Sequence, residues 1–309
     1  MRTIQHSIFN SYFSKFFKAL SKEDLSPITI KGYKQDLNAF DAWASEYFDR
    51  RTNIAKLSNI DIIAFRQHMI KVVRLNANTV NRRLEALRKF LKWAIRQKII
   101  KNPTVLEVKT IKTVRNRRPL GLIESEVHSL LRAAGETKHG LAKRNYALVQ
   151  LMVQAGLRVS EVAELQIRDI ELKERSGNVR IQQGKGGKQR EVPLNATARR
   201  AIRAYLNTRD GVKKNEPLFL STEGGGISVR AIQTTMNSLG RRAKIKRVKA
   251  TPHSLRHTFA ISYLKENPGK IVELATLLGH DSLDTTAIYT RPSKDDLADD
   301  LEKSKFNIY

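Results

Sequence analysis

Apolar residues recur at three- and four-residue steps through the first 110 of the 309 residues, and this spacing constrains the fold more than any other feature. Side chains three or four positions apart lie on the same face of an α-helix, so each run predicts a helix with one apolar face. Three runs predict a helical domain whose apolar faces pack together. They are Phe9, Tyr12, Phe13, Phe16, Phe17 and Leu20; then Tyr33, Leu37, Phe40, Ala44 and Tyr47; and then Val80, Leu84, Leu87, Leu91 and Ala94.

The third run carries a second pattern, because basic residues occupy the face opposite its apolar residues. Asn78 is a suitable N-cap for this helix. A helix with one apolar face and one densely basic face suits a DNA groove, although a solvated surface has the same pattern. Few acidic residues balance these cations, so we favour DNA binding. The basic residues are Arg82, Arg83, Lys89, Lys92 and Arg96.

The pattern changes after residue 100. The segment 101–121 has a proline near each end, several basic residues and no sustained periodicity, so we interpret it as an extended linker. The predicted organisation is a helical domain at 1–110, a basic linker at 111–120 and a second domain at 121–309.

The second domain is predicted to be mostly helical with one small antiparallel sheet. Residues 178–194 alternate between apolar and polar side chains on both sides of a glycine-rich centre. This alternation predicts a β-hairpin in which Val179 and Ile181 face Val192 and Leu194.

The balance of charge indicates the kind of partner. The chain has 57 Lys and Arg against 30 Asp and Glu, a formal net charge of +27. A charge of this size repels itself in a folded protein, so nucleic acid is favoured as a partner over an anionic membrane surface. No segment approaches the roughly 20 apolar residues of a membrane span, no leader pattern opens the chain, and cysteine is absent. We therefore expect a soluble, cytoplasmic, nucleic-acid-binding protein without disulfides, thiolate zinc sites or a membrane.

The stretch ATPHSLRHTFA places two histidines four residues apart on one predicted helix. Thr251 is a suitable N-cap and Pro252 a suitable first residue, which puts His253 and Arg256 on one face near the helix N-terminus. Free backbone N–H groups and the helix dipole favour an oxyanion there. A metal site using His253 and His257 is the alternative. It is disfavoured because the adjacent arginine repels a cation and the zinc-protease pattern needs a glutamate where this chain has serine.

A second arginine lies in the stretch QAGLRVSEVAEL. Arg158 follows Gly156, which is expected to end a helix in the left-handed conformation, and precedes Ser160, which can cap the next helix. An arginine held between two helix ends is well placed to bind a phosphate through its planar fork. A salt bridge with Glu161 or Glu164 is an equally good interpretation of the same residues.

Two further stretches carry polar residues whose role the pattern does not decide. GKGGK lacks the glycine spacing and hydroxyl of a nucleotide P-loop, so Lys185 and Lys188 either donate a proton or contact DNA. In LLGHDSLDTTAIYTR, His280 follows a glycine expected to end a helix, and Tyr289 lies nine residues further on. The chain has eight tyrosines, and Tyr263 lies on a suitable helix face as well, so periodicity alone identifies no nucleophile.

In combination these motifs resemble those of the tyrosine recombinases, the integrase and Xer-like site-specific DNA recombinases. The resemblance extends from SPITIKGYKQDLNAF to LLGHDSLDTTAIYT and includes GLRVSE, the glycine-flanked lysine, HSLRH, LLGH and the downstream tyrosine in the family's order. It implies a mainly α fold. An N-terminal helical, SAM-like core-binding domain would precede a mixed, mostly helical catalytic domain with a small antiparallel β-sheet.

The resemblance also implies a role for each matching residue. Tyr289 would be the nucleophile, and Lys185 the general acid with Lys188 as a weaker competitor. Glu161 would buttress the site, and His257 is expected to hold its helix or support the site from behind. The residues that would surround the scissile phosphate are Arg158, Arg256, His253 and His280. Further DNA-binding candidates are Lys188, Arg241 and Arg242, the last two in the basic run RRAKIKRVKA.

The implied substrate is double-stranded DNA with a specific core recombination site, cleaved without a metal or other cofactor. The implied assembly is a homo-tetramer on two paired sites, with accessory DNA-bending proteins as candidate partners. We expect the acidic tail at about 293–309, with Leu297 and Leu301, to dock on a neighbouring protomer. Because little chain precedes Phe9, an Xer-like or transposon-encoded resolvase is favoured over integrases with an extra arm-binding domain.

Three alternatives stay open. A non-catalytic DNA-binding or architectural protein explains the charge but leaves the ordered catalytic-type residues as coincidence. A metal-dependent nuclease would use His253, His257 and His280. A type IB topoisomerase shares the chemistry, although the chain length and the helical first domain fit a recombinase better.

Overall fold

A computed structural model describes residues 9–48, 54–112, 119–138, 140–182, 189–280, 282–292, 297–298 and 301–302. The chain divides into two units, Met1–Arg115 and Asn116–Tyr309. The division lies inside the predicted linker 111–120, most of which falls outside the described residues.

The described residues of the first unit form four α-helices. They are α1 at Asn10–Leu20, α2 at Pro27–Tyr47, α3 at Asn59–Lys71 and α4 at Ala77–Arg96, with short 3₁₀ turns at Ile54–Lys56 and Pro103–Leu106. The three apolar runs of the sequence lie on α1, α2 and α4, as predicted. Their aromatic side chains meet in one core, where Phe16, Phe40 and Phe90 are fully buried.

The start of α4 differs from the prediction. The helix begins at Ala77, and the side chain of Asn76 accepts a hydrogen bond from the N–H of Thr79 at 2.9 Å. The prediction of Asn78 as the N-cap is therefore wrong. Capping by the earlier asparagine of the sequence NAN adds two residues to the helix and leaves Asn78 within its first turn.

The segment after α4 packs onto the first unit, so the prediction of a linker beginning at residue 101 is wrong. Val105 and Val108 are buried in the core of this unit. The side-chain amide of Asn81 donates to the carbonyl of Ile111 and accepts from its N–H, both at 2.8 Å. Arg88 donates to the carbonyl of Val108 at 2.7 Å. The apolar side chains of this segment are spaced too irregularly to predict a helix. Their burial and these hydrogen bonds nevertheless fix the segment on the first unit.

The second unit contains eight α-helices and three strands among its described residues. The helices are α5 at Glu124–Gly135, α6 at Ala142–Ala155, α7 at Val159–Glu164, α8 at Ala196–Leu206, α9 at Val229–Arg242, α10 at Pro252–Glu266, α11 at Ile271–Leu278 and α12 at Asp284–Ala287. The strands are β1 at Ile170–Leu172, β2 at Gly177–Gln182 and β3 at Gln189–Pro193. The mainly α fold with a small antiparallel sheet is confirmed.

The predicted hairpin is formed by β2 and β3, and β1 pairs antiparallel with the other edge of β2. Val179 pairs with Val192, but Ile181 pairs with Arg190. Leu194 lies beyond the end of β3 and is buried beside these apolar residues. β1 escapes sequence analysis because three residues are too few to establish an alternation.

The core of the second unit is built around α6, which packs against α5, α8 and α10. As predicted, Gly156 ends α6 in the left-handed conformation, with φ of 60°. A Cβ at this position would lie 2.2 Å from the Phe259 ring, so close packing with α10 requires glycine as well. The end of α6 is thereby held directly against α10.

Candidate active site

Helix α10 begins as the sequence predicts, with Thr251 as N-cap and Pro252 as its first residue. The hydroxyl of Thr251 accepts from the N–H of Ser254 at 3.1 Å, and the hydroxyl of Ser254 accepts from the N–H of Thr251 at 2.8 Å. This reciprocal cap fixes the first turn of α10. It thereby sets the direction in which Arg256 and His257 leave the next turn.

Arg256 is buried, with only 5% of its surface exposed. Its Nη1 donates to the carbonyl of Gly156 at 2.6 Å, and its Nη2 donates to the carbonyl of Leu278 at 2.8 Å. Burial, together with the charge of Arg158, lowers the pKa of Arg256 to about 10. The guanidinium is therefore still charged at neutral pH, and two fixed carbonyls determine its plane.

Arg158 is the N-cap of α7 and forms an ion pair with Glu161. The carboxylate accepts from the Arg158 N–H at 2.7 Å and from Nη1 at 2.9 Å, while Nη2 donates to the carbonyl of Gly279 at 2.6 Å. The prediction of Ser160 as a cap is wrong, because α7 starts at Val159 and the carboxylate three residues after Arg158 takes that role. The Arg158 side chain keeps 40% of its surface exposed, so the salt bridge does not exclude an anion from it.

Arg190 on β3 belongs to the same cluster and is absent from the predicted set. Its two Nη atoms donate to the two oxygens of Glu161 at 2.9 and 2.8 Å, and its Nε donates to the carbonyl of Leu277 at 3.0 Å. The sequence does contain a signal for this residue. Positions 190, 192 and 194 alternate onto one face, so Arg190 shares the inward face of Val192 and Leu194. A charged residue at an inward position requires partners built for it.

Glu161 connects the two arginines. Burial alone would raise its pKa, but the hydrogen bonds from Arg190 and Arg158 outweigh burial and lower the pKa of this carboxyl. Glu161 is therefore an anion at neutral pH, with both oxygens occupied by guanidinium hydrogens.

His280 follows Gly279, which ends α11 as predicted and has the left-handed conformation, with φ of 64°. The Nη2 of Arg256 lies 2.9 Å from His280 Nε2, and Thr286 Oγ1 lies 2.8 Å from Nδ1. Because arginine can only donate, Nε2 accepts, and the ring hydrogen lies on Nδ1, which donates to Thr286. His280 is thus a neutral imidazole oriented from both sides.

Tyr289 lies in the turn after α12 and is buried, with 4% of its surface exposed. Its hydroxyl is 2.7 Å from His257 Nδ1. Burial raises the pKa of Tyr289, and the charge of Arg256 opposes that rise only in part, so the phenol is protonated at neutral pH. The ring packs against apolar side chains of α10 and α11, which are Ala260, Leu274 and Leu278.

The two histidines of α10 lie closer together than sequence analysis indicates. The rings of His253 and His257 are 4.0 Å apart between centroids, in an edge-to-face arrangement. Burial, and then the charges of His253 and Arg256, lower the pKa of His257 to about 4, so it is neutral at neutral pH. No local pattern could reveal its contact with Tyr289, because 32 residues separate the two. Tyr263, the rival tyrosine, packs against the Phe259 ring instead.

His253 is exposed and lines an open groove of about 700 Å³. Arg241 lines this groove, whereas Arg242 points elsewhere and donates to the carbonyl of Glu136 at 3.1 Å. Within the described part of the chain, the buried Oδ1 of Asn237 has no hydrogen-bond partner. The side chains that α9 contributes to the groove are Arg230, Gln233, Thr234, Asn237 and Arg241. The groove therefore presents cations and amides near Val159, the residue that follows Arg158.

The remaining predicted DNA-contacting residues lie outside the described residues or on α4 of the first unit. Lys185 and Lys188 lie outside the described residues, between β2 and β3. On α4, three of the five predicted cations have an acidic neighbour: Arg82 and Arg83 lie 2.5 and 3.8 Å from Asp36, and Lys89 lies 2.8 Å from Glu23. The other two, Lys92 and Arg96, are exposed.

In the described ranges, no three His, Asp or Glu side chains are grouped so that they could hold a metal ion. Nor does any helix traced there have the length and apolar character to cross a membrane.

The fold agrees with comparisons to known proteins. Residues 122–296 match the model of the phage integrase family, and residues 13–98 match the phage integrase N-terminal SAM-like domain. The chain belongs to the phage integrase family and is a tyrosine-type site-specific DNA recombinase.

Individual relatives match over nearly their full length. Tyrosine recombinase XerC of Pelobacter propionicus is 34% identical over 289 residues, which cover 92% of this chain and 91% of that protein. The TnP I resolvase of Bacillus thuringiensis is 28% identical over 292 residues, which cover 93% and 98%. A crystal structure of XerH site-specific recombinase bound to palindromic difH substrate, a post-cleavage complex, has a TM-score of 0.75. It covers 89% of this chain and 80% of that chain at 23% identity, so it supports the fold.

Proposed function

We propose that Tyr289 cleaves one DNA strand by attacking a phosphodiester held between Arg158 and Arg256. The observation that carries this proposal is the convergence of the two arginines, which are 98 positions apart in the sequence. They donate to the adjacent carbonyls of Leu278 and Gly279, so their guanidiniums lie side by side at one end of α11. Tyr289 lies just after α12, the next helix along the chain in the same unit.

Negative charge develops on the phosphate during the reaction, and this cluster is suited to stabilise it. Attack by the phenol oxygen creates a five-coordinate phosphorus whose nonbridging oxygens become more negative. Two fixed guanidiniums supply the positive charge and hydrogen-bond donors that a metal supplies in other phosphoryl-transfer sites, with His253 as a further donor and His280 orienting Arg256. Losing one such donor typically lowers the rate by about 10²–10³-fold.

Each proton in the reaction has an assigned path. His257 Nδ1, 2.7 Å from the Tyr289 hydroxyl, accepts the phenol proton as the Tyr289 oxygen bonds to phosphorus. The bond to the 5′ oxygen breaks, and Lys185 donates a proton to that oxygen. The products are a 3′-phosphotyrosine and a free 5′-hydroxyl. The bond energy is kept in the phosphotyrosine, so a 5′-hydroxyl can reverse the reaction without ATP.

The DNA is held by surfaces away from the reacting atoms. The groove beside His253 offers amide and guanidinium side chains, including Gln233, Asn237 and Arg241, of the kinds that read base edges. The exposed Lys92 and Arg96 on α4, together with Lys188, contribute contacts to phosphates. These surfaces recognise the core recombination site and set its register.

We further propose that four copies on two paired sites exchange strands pairwise through a four-way junction, with accessory DNA-bending proteins as additional partners. The 28% sequence identity with the TnP I resolvase supports a role in resolving or moving a DNA element, including a transposon. This reaction would take place in the cytoplasm, where the element's DNA lies.

One experiment tests the proposed chemistry. The protein is incubated in EDTA with duplex DNA that carries the site and a nick just beyond the scissile phosphate, and the tyrosine-linked adduct is separated on a denaturing gel. We expect an adduct from wild type and none from Tyr289→Phe, with equal DNA binding by both. Adduct from the variant would refute Tyr289 as nucleophile. Chelator-sensitive cleavage without an adduct would favour a nuclease, and binding without cleavage an architectural protein.

The acidic tail, 293–309, is proposed to dock on a neighbouring protomer. Most of it lies outside the described residues, but Leu297 and Leu301 are exposed, with 49% and 74% of their surfaces accessible. Deleting the tail should weaken cooperative assembly on paired sites more than the binding of a single protomer to a half-site. Equal losses in both gel-shift measurements would count against this docking.

A further inference from the structure

Three arginines hold three successive carbonyls where α11 ends. Arg190 Nε donates to Leu277 at 3.0 Å, Arg256 Nη2 to Leu278 at 2.8 Å, and Arg158 Nη2 to Gly279 at 2.6 Å. Carbonyls at the C-terminal end of a helix have no partner within the helix and lie at the negative end of its dipole. The end of α11 therefore serves as a fixed set of acceptors for the three guanidiniums.

We infer that Arg190 is a positioning residue for strand cleavage, which holds Glu161 and the end of α11 so that Arg158 and Arg256 meet the scissile phosphate in a fixed geometry. The inference rests on the proposed function of Arg158 and Arg256. Arg190 itself is nearly enclosed, with 10% of its side-chain surface exposed, and three of its donors are directed at protein acceptors. It therefore acts through other residues and does not itself contact DNA.

One connection runs from Arg190 through Glu161 to Arg158. Arg190 occupies both carboxylate oxygens in a bidentate pair, the geometry with the strongest orientational preference. Glu161 then accepts from the backbone N–H and from Nη1 of Arg158. Arg158 is 40% exposed, so its plane is set by this connection together with its bond to the Gly279 carbonyl.

The second connection runs from Arg190 to the end of α11. A Cβ at Gly279 would lie 2.7 Å from Arg190 Nη1, which shows how closely the guanidinium packs on this turn. Arg190 thereby fixes the backbone that supplies an acceptor to Arg256 at Leu278 and leads directly into His280. A displacement of about 1 Å in such a site can lower a rate by about 10²-fold.

The test compares two versions of the scissile linkage in the nicked duplex used above. One is the natural phosphodiester, and the other a methylphosphonate in which methyl replaces one nonbridging oxygen and removes its charge. The methylphosphonate develops less negative charge in the transition state. A misplaced guanidinium should therefore lower the rate of adduct formation less on this linkage. We expect Arg190→Met to lower the single-turnover rate of adduct formation by about 10²-fold on the phosphodiester and by less than about tenfold on the methylphosphonate.

Two further variants control for folding and for charge. Arg190→Lys keeps a charge opposite Glu161 but cannot form the fork, so it should fold normally and still show a larger loss on the phosphodiester. Arg180→Met removes a neighbouring arginine that pairs with Glu191 on the exposed face of the same hairpin, and both rates should stay at the wild-type level.

The possible results distinguish the positioning role of Arg190 from the proposed function. Equal losses on both linkages, or wild-type rates for Arg190→Lys, would overturn the positioning role while leaving the proposed function intact. Failure of the wild-type protein to form an adduct on either linkage would overturn the proposed function, and this role with it.

Discussion

The basic face of α4 and the arginine cluster at the end of α11 use the same kind of side chain in opposite ways. On α4 the cations stand on one helix, and Arg82, Arg83 and Lys89 share two carboxylates while Lys92 and Arg96 are exposed. At α11 three guanidiniums come from three different elements, and each donates to a backbone carbonyl.

The difference teaches how fixed acceptors change what an arginine can do. An exposed cation attracts phosphates over a distance set by salt, and it keeps its freedom to move. A buried guanidinium with several fixed acceptors presents its remaining hydrogens in one direction. We therefore expect the α4 face to supply affinity and the α11 cluster to supply rate, and four predictions test that division.

The largest effect is expected for Arg256→Lys. An ammonium cannot reach the carbonyls of Gly156 and Leu278 in the plane that the guanidinium occupies, so adduct formation should slow by about 10²–10³-fold. The matched change Arg96→Lys on α4 should leave this rate unchanged. Single-turnover rates at saturating protein measure both, and a comparable slowing in the α4 variant would contradict the division.

Glu161→Gln should destabilise the fold by about 3 kcal/mol at neutral pH, because it removes the anion shared by Arg158 and Arg190. The folded-state pKa of Glu161 is lowered below its ordinary value of 4.5. Its stabilisation is therefore fully present above pH 4.5 and is lost as the pH falls through the lowered pKa. Urea unfolding at several pH values should show the gap between variant and wild type closing in acid, and a constant gap would refute this assignment.

Gly279→Ala should lower both stability and rate. The left-handed conformation alone costs about 1–2 kcal/mol for alanine, and the added Cβ would also push against Arg190. Gly211→Ala is the matched control, since Gly211 has φ of 60° with no neighbour within 4 Å of its Cβ. Thermal melts should show losses in both variants, but only Gly279→Ala should slow adduct formation. Equal activities would mean that Arg190 tolerates displacement.

The smallest effect is expected for the double change Lys92→Ala and Arg96→Ala. Binding should weaken similarly for all DNA sequences, and the slope of log affinity against log salt should decrease by about 2, one for each lost phosphate contact. Adduct formation at saturating protein should be unaffected. An unchanged salt slope would remove these two residues from the DNA surface.

Local patterns predicted α1, α2 and α4 and several of the residues that shape the site. The apolar runs on α1, α2 and α4, the Thr251 cap and the left-handed Gly156 and Gly279 all follow from residues within one or two turns of each other. This reasoning fails where a nearby residue can take the same capping role. Asn76 was available two residues before Asn78, and a carboxylate displaced Ser160 as the cap of α7.

Contacts between distant residues required the structure. The bonds from Arg190 to Glu161 and from His257 to Tyr289 join residues about 30 positions apart. A charged residue at an inward strand position indicates that it has buried hydrogen-bond partners, but it does not identify them. For His257 the sequence offered only a helical position, and tertiary packing decided which side chain lies against it.

The three occupied carbonyls at the end of α11 also bear on how evenly a recombinase treats different strands. Ordering a long arginine side chain removes about 2 kcal/mol of rotamer freedom, and here that entropy is lost when the chain folds rather than when DNA arrives. A pocket whose cations are already ordered meets every phosphate with the same geometry, whatever bases flank it. On the proposed mechanism, the barrier to cleavage therefore includes no cost of ordering these arginines on any strand.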